Sequence, residues 1–348
     1  MSSPKRLFAL AVLPVVFLAA CGDDSSKASS SGSGSGSSSA SSSPSSSSSS
    51  GLASPATKGN VSDVKVDTKN AKKPTVSIAK DKLPFGTKSA TTKVLSEGKG
   101  KAIGDKDLVK ADFVMVNGTT GKTLGSTFGE TVPSFNMADN NNLPGLLTQL
   151  KGKKEGSKVV ISLPSGQAFG KAGNQNLGIG SNDNLVLYMD IKGVDTPLTE
   201  AKGTSKPAES GMPTVKVPAG AGKQAAITMP KGAKAPTSLK TSTLVEGEGD
   251  TVKSGDSIAV TYTGQIWGKN TVFDATAKHP DAPNPSVFVI GKKQVITGWD
   301  KALVGKKVGS RVLVVVPPAD GYGAQGNPQA GIQPTDTLVF VVDILAAN

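Results

Sequence analysis

The sequence has few of the side chains that build metal sites, disulfides and nucleophilic centres. Among 348 residues there is one Cys, Cys21, and one His, His279, and aromatic residues make up 4%. A single Cys cannot form a disulfide within the chain, and one Cys with one His cannot complete a Cys/His metal cage. Cys21 also lies too early in the chain to form a nucleophilic pair with His279. We therefore expect a function that uses no metal and no cofactor.

The charge is basic but scattered. Lys and Arg number 39 against 27 Asp and Glu, which gives a formal net charge of +12. The positive residues form only small clusters, and no basic stripe is interleaved with aromatic residues, so we expect no nucleic-acid partner. A solvated basic surface is expected, with weak attraction to anionic lipids or wall polymers left open.

The N-terminus has the features of an export signal. Lys5 and Arg6 precede an apolar run at residues 7–18, which is too short to span a hydrocarbon core of about 30 Å. Residues 18–21 (Leu-Ala-Ala-Cys) resemble the bacterial lipobox. The resemblance implies that residues 1–20 are removed as a signal peptide. Acylated Cys21 would then anchor the protein in the lipid bilayer, on the extracytoplasmic side of the cell membrane.

A Ser-rich segment follows the predicted lipidation site. Residues 25–50 contain 19 Ser, a composition with too little apolar surface to fold. We predict that residues 21–73 form a disordered tether, and O-glycosylation of the Ser tract remains open.

The rest of the chain contains an internal repeat. Residues 145–170 align without gaps on residues 298–323, and 10 of the 26 positions are identical. The copies are too long for solenoid units. They predict two homologous domains, here called repeat 1 (residues 74–196) and repeat 2 (residues 223–348), joined by a linker at residues 197–222.

Repeat 2 shows the pattern of an α+β domain. Segments 257–263, 311–316 and 338–345 are typical of strands, and residues 297–304 are the one plausible helix. A helix this short needs a sheet to pack on. We therefore predict two domains, each a curved antiparallel β-sheet wrapped on one short helix.

Several segments of repeat 2 resemble the FKBP-type peptidyl-prolyl cis-trans isomerases, and the resemblance extends over about 105 residues in the right order. The matching segments are Val-Thr-Tyr-Thr-Gly (260–264), Phe-Asp (273–274), Phe-Val-Ile-Gly (288–291), Gln-Val-Ile-Thr-Gly-Trp (294–299), Gly-Tyr-Gly (321–323) and Leu-Val-Phe (338–340). The resemblance implies two FKBP-like domains and a proline-isomerase pocket in repeat 2. It also implies proline-containing exported polypeptides as substrates and macrolides of the FK506 type as ligands.

The resemblance also implies a role for each pocket residue. Trp299 would form the floor under the proline ring, and the Ile296 amide would bind a substrate carbonyl. The Tyr322 hydroxyl would donate to the substrate, and Asp274 would be a buried acceptor near the twisting carbonyl. The remaining implied residues line the walls and the far rim: Tyr262, Phe273, Val295, Ile332 and Phe340.

Repeat 2 departs from the family pattern at several positions. Ser286, Gln294 and Asn327 stand where relatives often have an aromatic residue, an acid and a His. The Arg that often pairs with the pocket Asp is missing, and either Lys278 or His279 could replace it. The loop at residues 275–285 is longer than usual. These departures bear on substrate preference and macrolide affinity more than on catalysis.

Repeat 1 lacks most of the pocket groups in this comparison. We assign Val116 to the Tyr position, Leu124 and Gly125 to the Phe-Asp pair, and Phe169 to the flap Tyr. Leu146 and Leu187 replace the Trp and the last Phe. Repeat 1 is therefore predicted to fold like repeat 2 with little or no isomerase activity, serving as a chaperone-like binding surface or as a spacer that positions the active domain.

These observations predict an exported lipoprotein whose C-terminal domain is a peptidyl-prolyl isomerase that assists folding at the outer face of the cell membrane. The alternative is a non-catalytic peptide-binding chaperone or scaffold of the cell envelope, with both repeats as clamps.

Overall fold

The computed structural model of this chain describes residues 59–139 and 143–348. The predicted signal peptide, Cys21 and residues 22–58 of the predicted tether lie outside the described residues. Within the described part of the chain, no helix is long and apolar enough to cross a membrane.

Repeat 1 is built mainly from antiparallel strands with a single seven-residue α-helix in its described residues. Its elements are β1 (Val64–Asp67), β2 (Thr75–Ile78), β3 (Thr91–Ser96), β4 (Leu108–Asn117), β5 (Thr123–Ser126), β6 (Ser134–Asn136), α1 (Pro144–Leu150), β7 (Lys158–Leu163) and β8 (Leu185–Asp195). The main sheet has the order β3-β7-β8-β4-β5, and β6 also pairs with β4.

Repeat 2 follows the same plan with one additional edge strand. Its elements are β9 (Gly203–Ser205), β10 (Thr214–Lys216), β11 (Ala226–Thr228), β12 (Lys240–Gly247), β13 (Ser257–Ile266), β14 (Val272–Ala275), β15 (Ser286–Val289), α2 (Thr297–Leu303), β16 (Arg311–Val316) and β17 (Leu338–Ala347). The main sheet has the order β14-β13-β17-β16-β12-β9, and β15 also pairs with β13. The predicted strands and the predicted short helix of this repeat are confirmed.

Both faces of the repeat 2 sheet are covered, which explains why its strands are almost continuously apolar. Along β17, Phe340 and Val342 face the core that contains α2, whereas Val339 and Val341 face a second core on the opposite side. Successive side chains in a strand point to opposite faces. A strand that lies between two cores is therefore apolar at every position.

A short β-hairpin covers the outer face of each sheet. The hairpin β1–β2 contributes Val64 and Val76 to the core over repeat 1. The hairpin β10–β11 contributes Ile227 to the corresponding core over repeat 2. Each hairpin ends about a dozen residues before the first long strand of its repeat, so the duplicated unit includes a hairpin as well as the sheet and helix.

These hairpins change the predicted domain boundaries, and in the structure repeat 1 includes the hairpin β1–β2 while repeat 2 includes β9 and the hairpin β10–β11. The predicted tether ends at residue 73, but its described part, residues 59–73, contains a 3-10 turn at Val61–Asp63 and strand β1. The predicted linker at residues 197–222 contains β9 and β10. Neither hairpin is evident from the sequence, because their strands are only three or four residues long and are flanked by Lys, Gly and Pro.

Glycine allows the helix of repeat 2 to lie directly on its sheet. A Cβ atom at Gly298 would lie 2.6 Å from Cγ1 of Val316 on strand β16, well inside van der Waals contact. Trp299 follows Gly298, so the close approach fixes the position of the indole against the sheet.

We predict that the ion pair between Arg311 and Asp343 is important for the stability of repeat 2. Arg311 Nε and Nη2 each donate to one Asp343 oxygen at 2.7 Å, and the two side chains are 19% and 10% exposed. An Arg311→Met substitution leaves the carboxylate without its cation, so we expect a loss of about 2–3 kcal/mol in the free energy of unfolding.

Urea unfolding followed by Trp fluorescence measures this loss, because Trp267 and Trp299 both lie in repeat 2. The control is Lys301→Met, which removes the exposed pair with Asp320 and should change stability by less than about 0.5 kcal/mol. Equal effects of the two substitutions would contradict the assignment.

Candidate active site

Trp299 lies at the centre of an aromatic cluster on the helix side of the repeat 2 sheet. Its ring centroid is 5.3 Å from Phe288, 5.4 Å from Phe340 and 5.5 Å from Tyr262, and all three contacts are edge-to-face. Phe273 extends the cluster through Phe340 at 5.6 Å. Edge-to-face pairs at these distances are favourable beyond the area that they bury. The cluster is therefore a rigid apolar surface.

The structure brings the predicted pocket residues of repeat 2 together, at different depths. Tyr262, Trp299, Ile332 and Phe340 are buried, whereas Phe273, Val295 and Ile296 pack against the same core and are half-buried. Ile332 was predicted at the far rim, but it is only 2% exposed and its backbone pairs with Asn327. Ile332 therefore belongs to the buried core under the cluster residues rather than to an exposed rim. The half-buried residues and Tyr322, which is 37% exposed, form the accessible part.

Asp274 connects the aromatic cluster to a loop that carries the chain's only His. The Tyr262 hydroxyl donates to Asp274 Oδ2 at 2.5 Å, and His279 Nε2 donates to Oδ1 at 3.0 Å. The imidazole also meets the Tyr262 ring edge-on at 5.8 Å. The Asp274 side chain is 38% exposed, so this acceptor is half-buried rather than buried as predicted.

The pKa shifts of these three groups reflect their contacts. Burial alone would raise the pKa of Asp274, but the hydrogen bonds from His279 and Tyr262 outweigh it and lower that pKa. The hydrogen bond to Asp274 raises the pKa of His279 against the effect of burial. Burial, followed by the Asp274 charge, raises the pKa of Tyr262. The favoured state is thus an Asp274 carboxylate that accepts from a neutral Tyr262 and from His279.

Two polar side chains hold the segments around the apolar surface. Asp300 in α2 accepts from the amides of Gly291 at 2.6 Å and Lys293 at 2.8 Å, which fixes the segment leading to Val295. The second side chain is Tyr322, which forms a hydrogen bond with Asn327. Burial raises the pKa of Tyr322, the hydrogen bond with Asn327 lowers it, and the Asp274 charge raises it further. The Tyr322 hydroxyl is therefore protonated at neutral pH.

The structure identifies His279 as the partner of the pocket Asp, which the sequence left open between Lys278 and His279. Lys278 Nζ instead donates to the Val272 carbonyl at 2.5 Å. Lys278 lies four residues after Asp274 and His279 lies five residues after it. Either spacing is compatible with a contact, because only the path of the loop decides which side chain turns inward.

Two further residues contribute to the site, although the resemblance in sequence assigns them no role in the pocket. Phe288 contacts both Trp299 and Tyr262, and its place in the Phe-Val-Ile-Gly motif was the available signal. Gly264 makes room for the cluster, since a Cβ there would lie 2.6 Å from Cζ of Phe273 and 2.9 Å from Cε1 of Phe340. Repeat 1 carries Met115 at the corresponding position.

Strand register corrects one assignment in repeat 1. Tyr262 pairs with Val342 and Gly264 pairs with Phe340, whereas Met115 pairs with Leu187. Leu187 corresponds to Phe340, so its partner Met115 corresponds to Gly264. The residue two positions before Met115, Phe113, is therefore the counterpart of Tyr262, and the assignment to Val116 is wrong. Val116 faces the hairpin-side core of repeat 1. Sequence identity between the repeats is low in this strand, so only the pairing fixes the register.

With that register, repeat 1 has apolar residues at the positions of the cluster but none of its polar groups. Phe113 contacts Phe135 at 6.2 Å, as Tyr262 contacts Phe288 at 6.1 Å. Leu146 and Leu187 also lie in this core. However, Phe113 has no hydroxyl, Gly125 replaces Asp274, and Phe169 replaces Tyr322. The prediction that repeat 1 lacks the Trp, the acid and the flap hydroxyl is supported by this geometry.

Parts of the chain are similar to known proteins. It is 34% identical over 115 residues to an FK506-binding protein of Streptomyces anulatus, a match that covers 33% of this chain and 90% of that one. It is 42% identical over 98 residues to a 46 kDa FK506-binding nuclear protein of Spodoptera frugiperda, which covers 28% of this chain and 23% of that one. The chain therefore spans about a quarter of the length of the insect nuclear protein.

A solved structure of the three FKBP domains of wheat FKBP73 covers 75% of this chain at 22% identity, with a TM-score of 0.30. The family model for FKBP-type peptidyl-prolyl cis-trans isomerases matches residues 99–192 and 249–345. These two segments lie in the two repeats and together make up more than half of the chain, so the protein belongs to the FKBP-type peptidyl-prolyl cis-trans isomerase family.

Proposed function

We propose that repeat 2 catalyses the cis–trans isomerisation of X-Pro peptide bonds and that repeat 1 does not. The observation that carries the proposal is the asymmetry between the repeats. Trp299 and the Tyr262–Asp274–His279 group occur only in repeat 2, whereas repeat 1 has Leu146, Phe113 and Gly125 at the matching positions.

The reaction needs a surface that favours the twisted amide over the planar one. Amide resonance gives a rotation barrier of about 18–20 kcal/mol, and the uncatalysed step takes tens to hundreds of seconds for an X-Pro bond. The twisted transition state has less charge separation than the planar ground state. An apolar, water-poor surface with a few fixed donors therefore lowers the barrier, and each 1.36 kcal/mol or so gives a tenfold faster reaction.

The residues of repeat 2 are suited to these tasks. The proline ring would rest on the aromatic cluster around Trp299, with Phe273 and Val295 beside it. The Tyr322 hydroxyl and the Ile296 amide would hold the substrate backbone. Asp274 would act on the twisting carbonyl, with its charge kept in place by Tyr262 and His279.

We further propose that the enzyme works on exported polypeptides, anchored to the outer face of the cell membrane through acylated Cys21. This part depends on the lipobox-like sequence at residues 18–21 and on the Ser-rich segment that follows it. FK506-type macrolides are proposed ligands because they would occupy the same apolar surface as a proline ring.

A non-catalytic chaperone is the second candidate function, favoured by one observation. Repeat 1 keeps an apolar cluster with half-buried Phe135, Leu143 and Phe169 and has lost the polar groups. Such a surface could hold an apolar peptide segment without catalysing its isomerisation.

Turnover of a proline-containing peptide by the full chain tests the proposal. We expect the cis–trans rate to rise in proportion to enzyme concentration and to fall back when an FK506-type macrolide is added. Suppression of client aggregation without any rate increase would reject the enzyme and favour the chaperone.

A further inference from the structure

Repeat 1 contacts the loop of repeat 2 that carries His279. Pro285 at the end of this loop accepts through its carbonyl from Asn136 Nδ2 of repeat 1 at 3.0 Å. Asn284 Nδ2 donates to the Ala138 carbonyl of repeat 1 at 3.3 Å. The loop, residues 276–285, is therefore fixed at one end to the pocket through His279 and at the other end to repeat 1.

The contact between the repeats continues beyond this loop. Leu108 of repeat 1 is buried with Ala259 and Ala346 of repeat 2, and Val287 of strand β15 packs against them. The C-terminal Asn348 lies at the same place, with its Oδ1 2.5 Å from Ser134 Oγ of repeat 1. The loop continues directly into strand β15, and this strand itself packs on repeat 1.

A second element packs against the middle of the loop. A Cβ atom at Gly222, just before strand β11, would lie 2.9 Å from Cα of Pro283. Inside the loop, the amide of Ala282 donates to the His279 carbonyl at 3.1 Å, and the amide of Asn284 donates to the Asp281 carbonyl at 3.0 Å. A displacement of Asn284 would therefore be transmitted along the backbone to His279.

The charges around His279 make its position important for the pocket. Asp274 and Asp281 both raise the pKa of the imidazole, and the hydroxyl of Tyr262 lies 3.4 Å from Nε2. Lys278, the adjacent cation, is directed to the Val272 carbonyl. His279, and not Lys278, is therefore the side chain of this loop that hydrogen-bonds to Asp274. Its position determines whether Asp274 keeps this donor.

We propose that repeat 1 is a positioning domain for the active site of repeat 2. By holding Asn284 and Pro285 it fixes the loop, and the loop fixes His279 against Asp274. His279 is a positioning residue in this account, because it acts through Asp274. The inference rests on the proposed function for its kinetic consequence, but its structural consequence can be measured independently.

The experiment uses the full chain with any affinity tag removed, so that His279 is the only His. The imidazole signals are followed by NMR as a function of pH in the wild type and in the Asn136→Ala/Asn284→Ala double variant. We expect the midpoint to move down toward that of a free imidazole in the variant. We also expect kcat/KM to fall about threefold or more, with a changed pH profile.

Two controls separate this effect from general damage. Asn70→Ala removes an exposed Asn of repeat 1 that accepts from Lys72 in the β1–β2 turn, and it should change neither readout. In a His279→Gln background, the interface substitutions should have no additional effect on turnover, since the group through which they act is gone.

An unchanged His279 midpoint in the double variant, with wild-type turnover, would overturn the inference. A shifted midpoint in a chain that shows no turnover at all would support the positioning role and reject the proposed enzyme.

Discussion

Replacing Trp299 with leucine, the residue that repeat 1 has at this position, is expected to reduce kcat/KM for a prolyl peptide about tenfold or more. The indole makes edge-to-face contacts with Tyr262, Phe288 and Phe340. Losing roughly 55 Å² of apolar contact with the proline ring, at about 25 cal/mol per Å², removes about 1.4 kcal/mol of transition-state binding.

The fold should tolerate this substitution. Nε1 of Trp299 is buried and has no hydrogen-bond partner within the part of the chain that the structure describes. Burying such a donor costs free energy, so leucine removes a penalty as well as contacts. The fluorescence of Trp267, which stays in place, reports whether repeat 2 is still folded.

The chain provides a matched control for Trp299→Leu. Trp267 is half-buried against the hairpin-side core of the same repeat, on the other face of the sheet. Trp267→Leu should keep kcat/KM within about twofold, because it removes the same atoms at a site away from the aromatic cluster. Equal losses in the two variants would mean that Trp299 acts through stability alone.

Removing the Asp274 carboxylate is expected to lower kcat/KM by about ten- to a hundredfold. An Asp274→Ala variant leaves the Tyr262 hydroxyl and His279 without their common acceptor. A charge-assisted hydrogen bond contributes about 1.5–3 kcal/mol, and two of them set the geometry of this part of the site. Asp274→Asn, which keeps the shape and one acceptor oxygen, should lose less activity than Asp274→Ala.

The same variants test the pH dependence of stability. The pKa of Asp274 is lowered, so its stabilising contribution is present above the unfolded value of about 3.9 and is lost as pH falls through the folded value. The pKa of His279 is raised, so its contribution is complete below about 6.5 and is lost as pH rises through the folded value. The pair is therefore most stabilising in mildly acidic solution. Asp274→Ala should remove both dependences in urea titrations at a series of pH values.

Much of repeat 2 could be predicted from its sequence because its strands and its pocket motifs are local features. The helix at Thr297–Leu303 and the strands β13, β16 and β17 lie where the pattern placed them. The aromatic residues of the cluster were recognisable since each belongs to a short motif with fixed spacing.

Other features depend on contacts that a single sequence does not display. The identity of Phe113 as the counterpart of Tyr262 follows from strand pairing, because this strand has little identity between the repeats. The hairpins over each sheet have too few apolar residues to stand out. The choice of His279 over Lys278, and the contact of Asn284 with repeat 1, depend on the path of one long loop.

The most direct test of the account is the turnover of a prolyl peptide by the full chain with Trp299→Leu and Asp274→Gly combined, which gives repeat 2 the residues of repeat 1. The matched variant instead changes repeat 1 and carries Phe169→Ala, at the position that corresponds to Tyr322. We predict that the first variant falls to the uncatalysed rate while the second keeps wild-type turnover. Substantial turnover in the first variant, lost when Phe169 is also replaced, would show that repeat 1 is an isomerase and would contradict the account.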